Sequence, residues 1–309
     1  MRLVLLVNPA ASSYHEHTRR EVERRLAAAH DVVAVETARR LHATELAAQA
    51  ARDGADVVAV LAGDGTLNEA AAGLAGTQTA LASLPGGSTN VFARTLGVPY
   101  DPAEAADALL ASLAAGSSRR IGLGFANGRC FVFHLGVGFD AAVVSEIEQR
   151  PEVKRYLAHP AFAVAAVDTW IRRYDRRTRI RATITDDDGR ATLLGEGPYA
   201  IVSNSTPYTY VARRPIRVAP QAALDRPLAL TMMLTIRAAV MVRAVISSLG
   251  ATRFLADAPE ILQAADIEHL CLEADRPFPW QVDGDYLGET DHLDVRYQPD
   301  TLTVIVPAR

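Results

Sequence analysis

At 309 residues the chain has room for one large domain or two modest ones, and its 49% hydrophobic content supplies an ordinary packed core. A net charge of −4 offers no basic face for nucleic acid, which is therefore not an expected partner. Cys130 and Cys271 read as isolated, with no CxxC pair and no ligand-like neighbours, which excludes a disulfide framework, argues against zinc and fits a reducing cytoplasm.

MRLVLLVNP carries one basic residue before a short apolar run that stops at polar Asn8. Residues 2–8 therefore read as a first strand and not as a signal peptide. A charged helix pattern follows over 17–30, with Val22 and Leu26 four apart on one face. Residues 31–38 form a second strand, 42–54 a helix closed by Gly54, 55–62 a third strand and 79–85 a fourth. Within RLVLLVN the run LVLLV is continuously apolar, as a strand covered on both faces is. Strands alternating with helices predict a doubly wound parallel α/β sheet, whose ligands bind beyond the carboxyl ends of the strands. NPAASS, AGDGT and PGGSTN all fall at such ends and are expected to converge on one crevice.

From about residue 121 the pattern changes to a β-rich one, so the domains are read as 1–121 and 122–309, with the change near SSRRIGLG (117–124). His134, inside FVFHLGVG, reads as a satisfied core or pocket histidine. Residues 157–171 are apolar but interrupted by His159, Pro160 and Asp168. They fall short of the roughly 18 uncharged residues of a membrane span and read as a buried helix. RIRATITDDDGRATLL (179–194) is a hairpin turning at Asp188-Gly189, and PYAIVSNS, RPLALTMML, DIEHLCLEA and TLTVIVP follow as further strands.

The chemistry concentrates in VVAVLAGDGTLNEAA, where a buried strand passes straight into a helix. Gly63 and Gly65 can take positive φ and let the backbone approach a ligand closely. Thr66 is the expected N-cap, with Glu69 as its capping-box partner. The free N–H groups of the helix start then stabilise an anion. Asp64 beside such a cradle would repel phosphate unless a cation lies between them, which points to a nucleotide with Mg²⁺. No Gly-Lys-Ser/Thr follows, so this is not a Walker A loop. SLPGGSTNVFARTLGVP (83–99) repeats the arrangement. Either motif alone has an ordinary turn reading; together at one sheet edge they read as two walls of a phosphate site.

GDGTLNEAAAGL followed by LPGGSTNVFARTLGVP resembles the diacylglycerol kinase catalytic domain family, which includes bacterial lipid kinases and is related to sphingosine kinases. Asn8-Pro9, Thr37 with HATELA, GVGFDA (136–141) and VDGD (282–285) fall in that family's order, so the resemblance spans essentially the whole chain. It implies a nucleotide domain like those of NAD kinase and phosphofructokinase, and a C-terminal β-sandwich-like lipid domain with ATP between the two. It also implies a last strand, about 302–306, that returns to the first domain. The reaction implied is transfer of the ATP γ-phosphoryl group to a lipid hydroxyl, with diacylglycerol the first acceptor.

Carried over residue by residue, the nucleotide site comprises Asn8, Pro9, Thr37, Gly63, Asp64, Gly65, Thr66, Leu67, Asn68, Glu69, Gly87, Ser88, Thr89 and Asn90. Asp64 acts through Mg²⁺, and Asp225 is the remaining ligand for a second magnesium ion. Asp285 stands where the family's Asp-Gly-Glu triplet has its acid/base glutamate, and Asp283 keeps the first place; without the upstream motifs the pair reads as a β-turn. The chain departs from the family at five points: Ala62 replaces the first glycine of GGDGT, NPAASS lacks a glycine, Val91 replaces a carboxylate, Asp285 is one methylene short, and the glycine-rich segment with Asp-Gly near the second magnesium site reads YTYVARRPIRVAPQAALDRPLAL (208–230).

NAD kinase shares the GDGT turn, whereas Asn68-Glu69 and GGSTNVFAR favour the lipid kinases; Val91 and Asp285 leave open a lipid- or nucleotide-binding protein with little turnover. The expected location is the cytoplasm, in peripheral contact with the inner face of the membrane. Expected partners are a lipid at that surface and a second copy of the chain. The stretch from Arg150 to Arg181 is basic and reads equally as a solvated ion-paired face or as a docking face for anionic headgroups.

Overall fold

A computed structural model describes residues 1–148, 177–186, 188–211, 214–248 and 254–308. The chain divides into two compact units, Met1–Gly122 with Pro299–Arg309, and Leu123–Gln298. The first unit begins β1 (Arg2–Val7), α1 (Glu16–Ala27), β2 (Asp31–Glu36), α2 (His42–Arg52), β3 (Val57–Ala62), α3 (Asp64–Leu74), β4 (Ala80–Pro85), α4 (Val91–Leu96) and α5 (Pro102–Ala114). Its strands lie in the order β2-β1-β3-β4 and all run parallel. The doubly wound sheet read from the strand–helix alternation is therefore present.

Local chemistry accounts for these elements. Every residue of β3 is buried, as continuous apolar strands between two helical layers must be. Leu3, Leu5 and Val7 pack with Val22 and Leu26 of α1 and with Ala105 and Leu109 of α5. The start of α5 combines Pro102 in its first turn with Asp101, whose carboxylate accepts the N–H groups of Ala103 and Glu104. A Cβ on Gly73 would lie 2.3 Å from the Thr44 carbonyl oxygen, so glycine lets α3 seat directly on the backbone of α2. Three strand-to-helix turns leave the carboxyl ends of β1, β3 and β4, where the sequence placed its three motifs.

A strand β5 (Ser118–Ala126) runs across the point where the pattern changes. The second unit then builds β6 (Arg129–Phe131), β7 (His134–Gly138), α6 (Phe139–Glu148), β8 (Ile180–Thr185), β9 (Ala191–Gly197), β10 (Tyr199–Ser203), β11 (Thr209–Val211) and β12 (Arg214–Ile216). It continues with β13 (Leu228–Met233), α7 (Ala238–Ser248), α8 (Phe254–Asp257), β14 (Ile261–Ile267), β15 (His269–Val282) and β16 (Asp285–Ile305). Its main strands are antiparallel in the order β14-β13-β10-β7-β15-β16, with β8 and β9 attached along β15. Phe131, Leu135, Val137, Val202, Leu230, Phe278 and Val282 belong to one core beneath them. The hairpin read around Asp188-Gly189 joins β8 to β9, with Gly189 at φ +77°.

β15 passes into β16 through Asp283 and Gly284, both left-handed at φ +50° and +87°, the signature of a type I′ hairpin turn. The last residues of the 21-residue strand β16 belong to the first unit, where Val304 pairs in parallel with Leu81 of β4. The helix read over 157–171 lies outside the described residues.

Candidate functional site

The first turn of α3 sits where a phosphate cradle was expected, but its details differ. The helix begins at Asp64 with Gly63 as N-cap, three residues before the Thr66 cap read from the sequence. Neither Gly63 nor Gly65 is among the positive-φ residues; Gly63 is extended at φ −85° and ψ 176°. Thr66 is an interior residue whose Oγ1 accepts a hydrogen bond from Asn8 Nδ2 at 2.8 Å. Glu69 does not reach back to close a capping box. Its two oxygens accept the N–H groups of Leu41 and Ala43 at 2.9 and 3.2 Å, capping α2 instead. The competing reward was a neighbouring helix with unsatisfied amides of its own.

The three loops are joined by specific bonds. Asn8 binds Ala10 N–H through Oδ1 and Thr66 through Nδ2, tying the first loop to α3. Ser13 donates its backbone N–H to Gly86 O and its hydroxyl to Gly87 O, tying the first loop to the third. Asp64 accepts Val91 N–H at 2.9 Å on one oxygen and Phe92 N–H at 3.1 Å on the other, tying the second loop to the start of α4. Burial pushes the Asp64 carboxyl above its ordinary value, and those two amides pull against that rise. Asn90, left-handed at φ +48°, closes the third loop by bonding both Gly87 N–H and Gly87 O at 2.8 Å. The NPAASS, AGDGT and PGGSTN motifs thus meet.

Backbone contact explains the glycines of the third loop better than torsional freedom does. A Cβ on Gly87 would lie 2.6 Å from Gly63 Cα, and one on Gly86 would lie 2.8 Å from Ala62 N. Gly65 is the opposite case, since a Cβ there meets nothing within 4 Å. It faces open space in the first turn of an 11-residue helix, where an anion would approach. Ser88 is exposed and Thr89 half-buried in the same loop, while Thr37 is half-buried at the end of β2 with its N–H on Val7 O. Pro9 is exposed, and Leu67 is buried in the core side of α3. Asn68 is 2% exposed, and its Oδ1 has no partner among the described residues. That oxygen is an acceptor, so a donor such as a hydroxyl, and not a phosphate oxygen, would complete it; the phosphate fit rests on the open first turn at Gly65. These residues fit a phosphate group.

A direct test of that fit separates Gly65 from Gly87. Gly65→Ala should leave the melting temperature unchanged and weaken ATP binding about tenfold, roughly 1.4 kcal/mol. Gly87→Ala should cost about 1–3 kcal/mol of stability through backbone overlap, seen as a lower melting temperature even without nucleotide. Thermal unfolding with and without ATP checks both; if Gly65→Ala binds ATP normally, the open space is not a phosphate seat.

In the second unit the Asp-Gly-Asp turn sorts its two carboxylates by environment. Asp283 accepts Val132 N–H, Phe133 N–H and His134 N–H at 2.8–2.9 Å. Burial pushes its carboxyl up to about 7, against the pull of those three amides. Asp285 is partly exposed, with Arg129 Nη2 at 3.9 Å from its Oδ2. Gln281, fully buried, holds the turn from behind: its Oε1 accepts Gly284 N–H at 2.7 Å and its Nε2 donates to Asp140 Oδ2 at 2.7 Å. Asp140 also accepts the Tyr208 hydroxyl at 2.9 Å, and burial pushes its carboxyl upward. A Cβ on Gly136 would fall 1.8 Å from Asp140 Oδ2, which accounts for a glycine within GVGFDA.

His134 stacks on Tyr208 with ring centroids 4.1 Å apart. It is buried and its Nδ1 has no partner among the described residues, so it is not the satisfied histidine the sequence suggested. Burial pulls the imidazole down to about 3, which keeps it neutral at ordinary pH. Gln281, Asp140 and Tyr208 were not read as site residues, because only strand pairing brings 136–140 beside 281. Asp225, the expected second magnesium ligand, is exposed beside Arg226. Cys271 does have ligand-type neighbours in space, contrary to the sequence reading, in Glu273 and His292.

Residues 2–125 match the model of the diacylglycerol kinase catalytic domain. The chain is 34% identical over 137 residues to "Probable lipid kinase YegS-like" of Pseudomonas aeruginosa (strain UCBPP-PA14), covering 44% of this chain and 43% of that one. It is 39% identical over 99 residues to "Diacylglycerol kinase" of Bacillus subtilis (strain 168), covering 31% of each. The chain thus spans less than half the length of these curated relatives. A crystal structure of a diacylglycerol kinase from Bacillus anthracis str. Sterne aligns over 99% of this chain and 96% of that one, with TM-score 0.70 and 22% identity. Another solved chain from that strain aligns with TM-score 0.76 at 24% identity, over 99% and 95%. The fold is shared along the whole length, and the family read from the paired glycine motifs is the one the matches name.

Proposed function

We propose that the protein is an ATP-dependent lipid kinase that transfers the γ-phosphoryl group to a lipid hydroxyl, with diacylglycerol as acceptor. The observation that carries this reading is the bonded convergence of three loops bearing glycine or asparagine on the start of α3, within the residues that match the diacylglycerol kinase catalytic domain. Phosphoryl transfer asks a protein mainly for positioning and charge neutralisation. Backbone N–H groups at the start of α3, with Asn8, Asn68 and the 86–90 loop around them, would position the phosphates. Magnesium arriving with the nucleotide would neutralise charge between phosphate oxygens. An ion of that kind commonly takes only one or two protein carboxylates, and Asp64 would be the one offered to it. Asp64 itself holds α4 against the cradle, so its carboxylate orients the third loop whether or not a cation is present.

The proton of the acceptor hydroxyl would pass to Asp285. Asp283 is already engaged by three backbone amides and serves to shape the turn that presents Asp285. Radiolabelled ATP and Mg²⁺ offered with diacylglycerol, monoacylglycerol, phosphatidylglycerol, long-chain base and polyprenol should label diacylglycerol best. Absence of label on every lipid would overturn the kinase reading.

Contact with the membrane surface is proposed on the basic stretch alone. Arg150, Lys154, Arg155, Arg172, Arg173 and Arg176 lie outside the described residues. Of the described ones, Arg179 pairs with Glu196 at 3.4 Å and Arg181 with Asp275 at 3.3 Å. Changing Arg172, Arg173, Arg176 and Arg177 together to glutamine should reduce sedimentation with anionic vesicles, each lost contact being worth about 1 kcal/mol. Activity on a short-chain soluble acceptor should stay unchanged; equal loss on both acceptors would rule out docking.

A further inference from the structure

We infer that Cys271, Glu273 and His292 form a zinc site on the exposed face of the β15–β16 hairpin. The antiparallel register places Glu273 opposite His292 and Cys271 opposite Asp294. With side chains alternating along each strand, Cys271 and Glu273 share one face of β15 and meet His292 from β16. One sulfur, one imidazole nitrogen and one carboxylate oxygen all lie within 4.8 Å of one another. Cys271 Sγ is 3.6 Å from His292 Nδ1, and that nitrogen is 3.2 Å from Glu273 Oε1. A tetrahedral ion with bonds of about 2.3 Å to sulfur and about 2.0–2.1 Å to nitrogen and oxygen separates its ligands by about 3.4–3.6 Å. The sulfur–nitrogen edge already has that spacing, and the nitrogen–oxygen edge, at 3.2 Å, would open slightly on binding.

The donor set selects the ion. Magnesium and calcium favour oxygen shells, whereas mixed sulfur, nitrogen and oxygen ligands suit zinc. Asp294, the carboxylate opposite Cys271 in the register, is engaged by His269 Nε2 and Arg296 Nε. A water would take the fourth position. The place of the site suggests what the ion does. Between the pairs Glu273–His292 and Phe278–Thr290, β15 carries residues 274–277 while β16 carries residue 291 alone, so the ladder is interrupted there. An ion bridging the last regular pair would clamp the two strands at the point where their hydrogen bonding lapses. On binding, the Cys271 thiol gives its proton to solvent and coordinates as thiolate. None of this depends on the kinase reading.

The test uses the full chain, stripped with a chelator and titrated with Co²⁺ as a spectroscopic stand-in. One equivalent should produce a thiolate-to-cobalt charge-transfer absorption that Zn²⁺ displaces. Cys271→Ser should abolish the band, and His292→Gln and Glu273→Gln should each weaken binding about tenfold or more. Cys130→Ser, at the buried second cysteine, should leave it intact. Matching circular dichroism establishes that the variants are folded, as expected for changes on an exposed strand face. No band in the parent protein, a band that survives Cys271→Ser, or binding unaffected by both His292→Gln and Glu273→Gln would overturn the proposal.

Discussion

Exchanging Asp64 for asparagine is expected to reduce phosphoryl transfer by two decades or more and to lower the melting temperature at the same time. Both carboxylate oxygens of Asp64 accept a backbone amide from α4. Asparagine keeps one acceptor and turns an NH₂ group towards the other N–H, leaving a donor facing a donor. An unmet amide in a partly buried place costs about 1–3 kcal/mol. Loss of the charge removes a further contribution if a cation sits there, and about 3 kcal/mol corresponds to roughly two decades in rate. The Mg²⁺ dependence of the rate tells the two roles apart. A raised magnesium requirement identifies a ligand; an unchanged requirement with weaker ATP binding identifies a clamp. Normal turnover would remove Asp64 from the site altogether.

The two carboxylates of the β15–β16 turn should give opposite phenotypes. Asp285→Asn should lower kcat by about 10²-fold or more while leaving ATP binding and the melting temperature near their parent values, because a proton acceptor acts in the transition state. Asp283→Asn should instead cost about 1–3 kcal/mol of stability, since its carboxylate satisfies three backbone amides and the asparagine amide nitrogen must face one of them. Asparagine tolerates the left-handed backbone at that position, so strain should not confuse the comparison. Stopped-assay kinetics and thermal unfolding on the same preparations decide it. If Asp283→Asn destroys kcat with stability intact, the acid/base assignment moves to Asp283.

Much of this was legible in the chain because it depends on short range. Apolar runs within the strands Arg2–Val7 and Val57–Ala62, each followed by a turn motif, identify a parallel sheet and the end of it that carries ligands. What stayed hidden depends on partners far away in sequence. Glu69 has the right offset to cap its own helix, yet α2 offers it two amides, and no local rule could foresee that choice. The glycines at 86 and 87 are required by the backbone of β3 and Gly63 pressing against them, a contact that no local pattern shows. Cys271 looked solitary until the hairpin register brought His292 across from Glu273. Gln281 gave no signal at all, because a buried glutamine acquires meaning only from the groups on either side of it.

The divided membership of β16 has a consequence for how the protein is made. The outer edge of β4 is covered by a residue, Val304, that is 219 positions beyond the end of that strand (304 − 85). A ribosome delivers the first unit's strands β1 to β4 early, but withholds the one that seals them until after the whole of the second unit has been made. Leu302 and Val304, both fully buried, are therefore late arrivals in an early core. During that interval the nascent chain exposes an apolar strand edge of the kind that recruits foreign strands. A fragment ending at residue 125 would keep that edge open permanently. A circular permutant that begins at Pro299 would close it within the first half of synthesis, and should show less dependence on chaperones during expression.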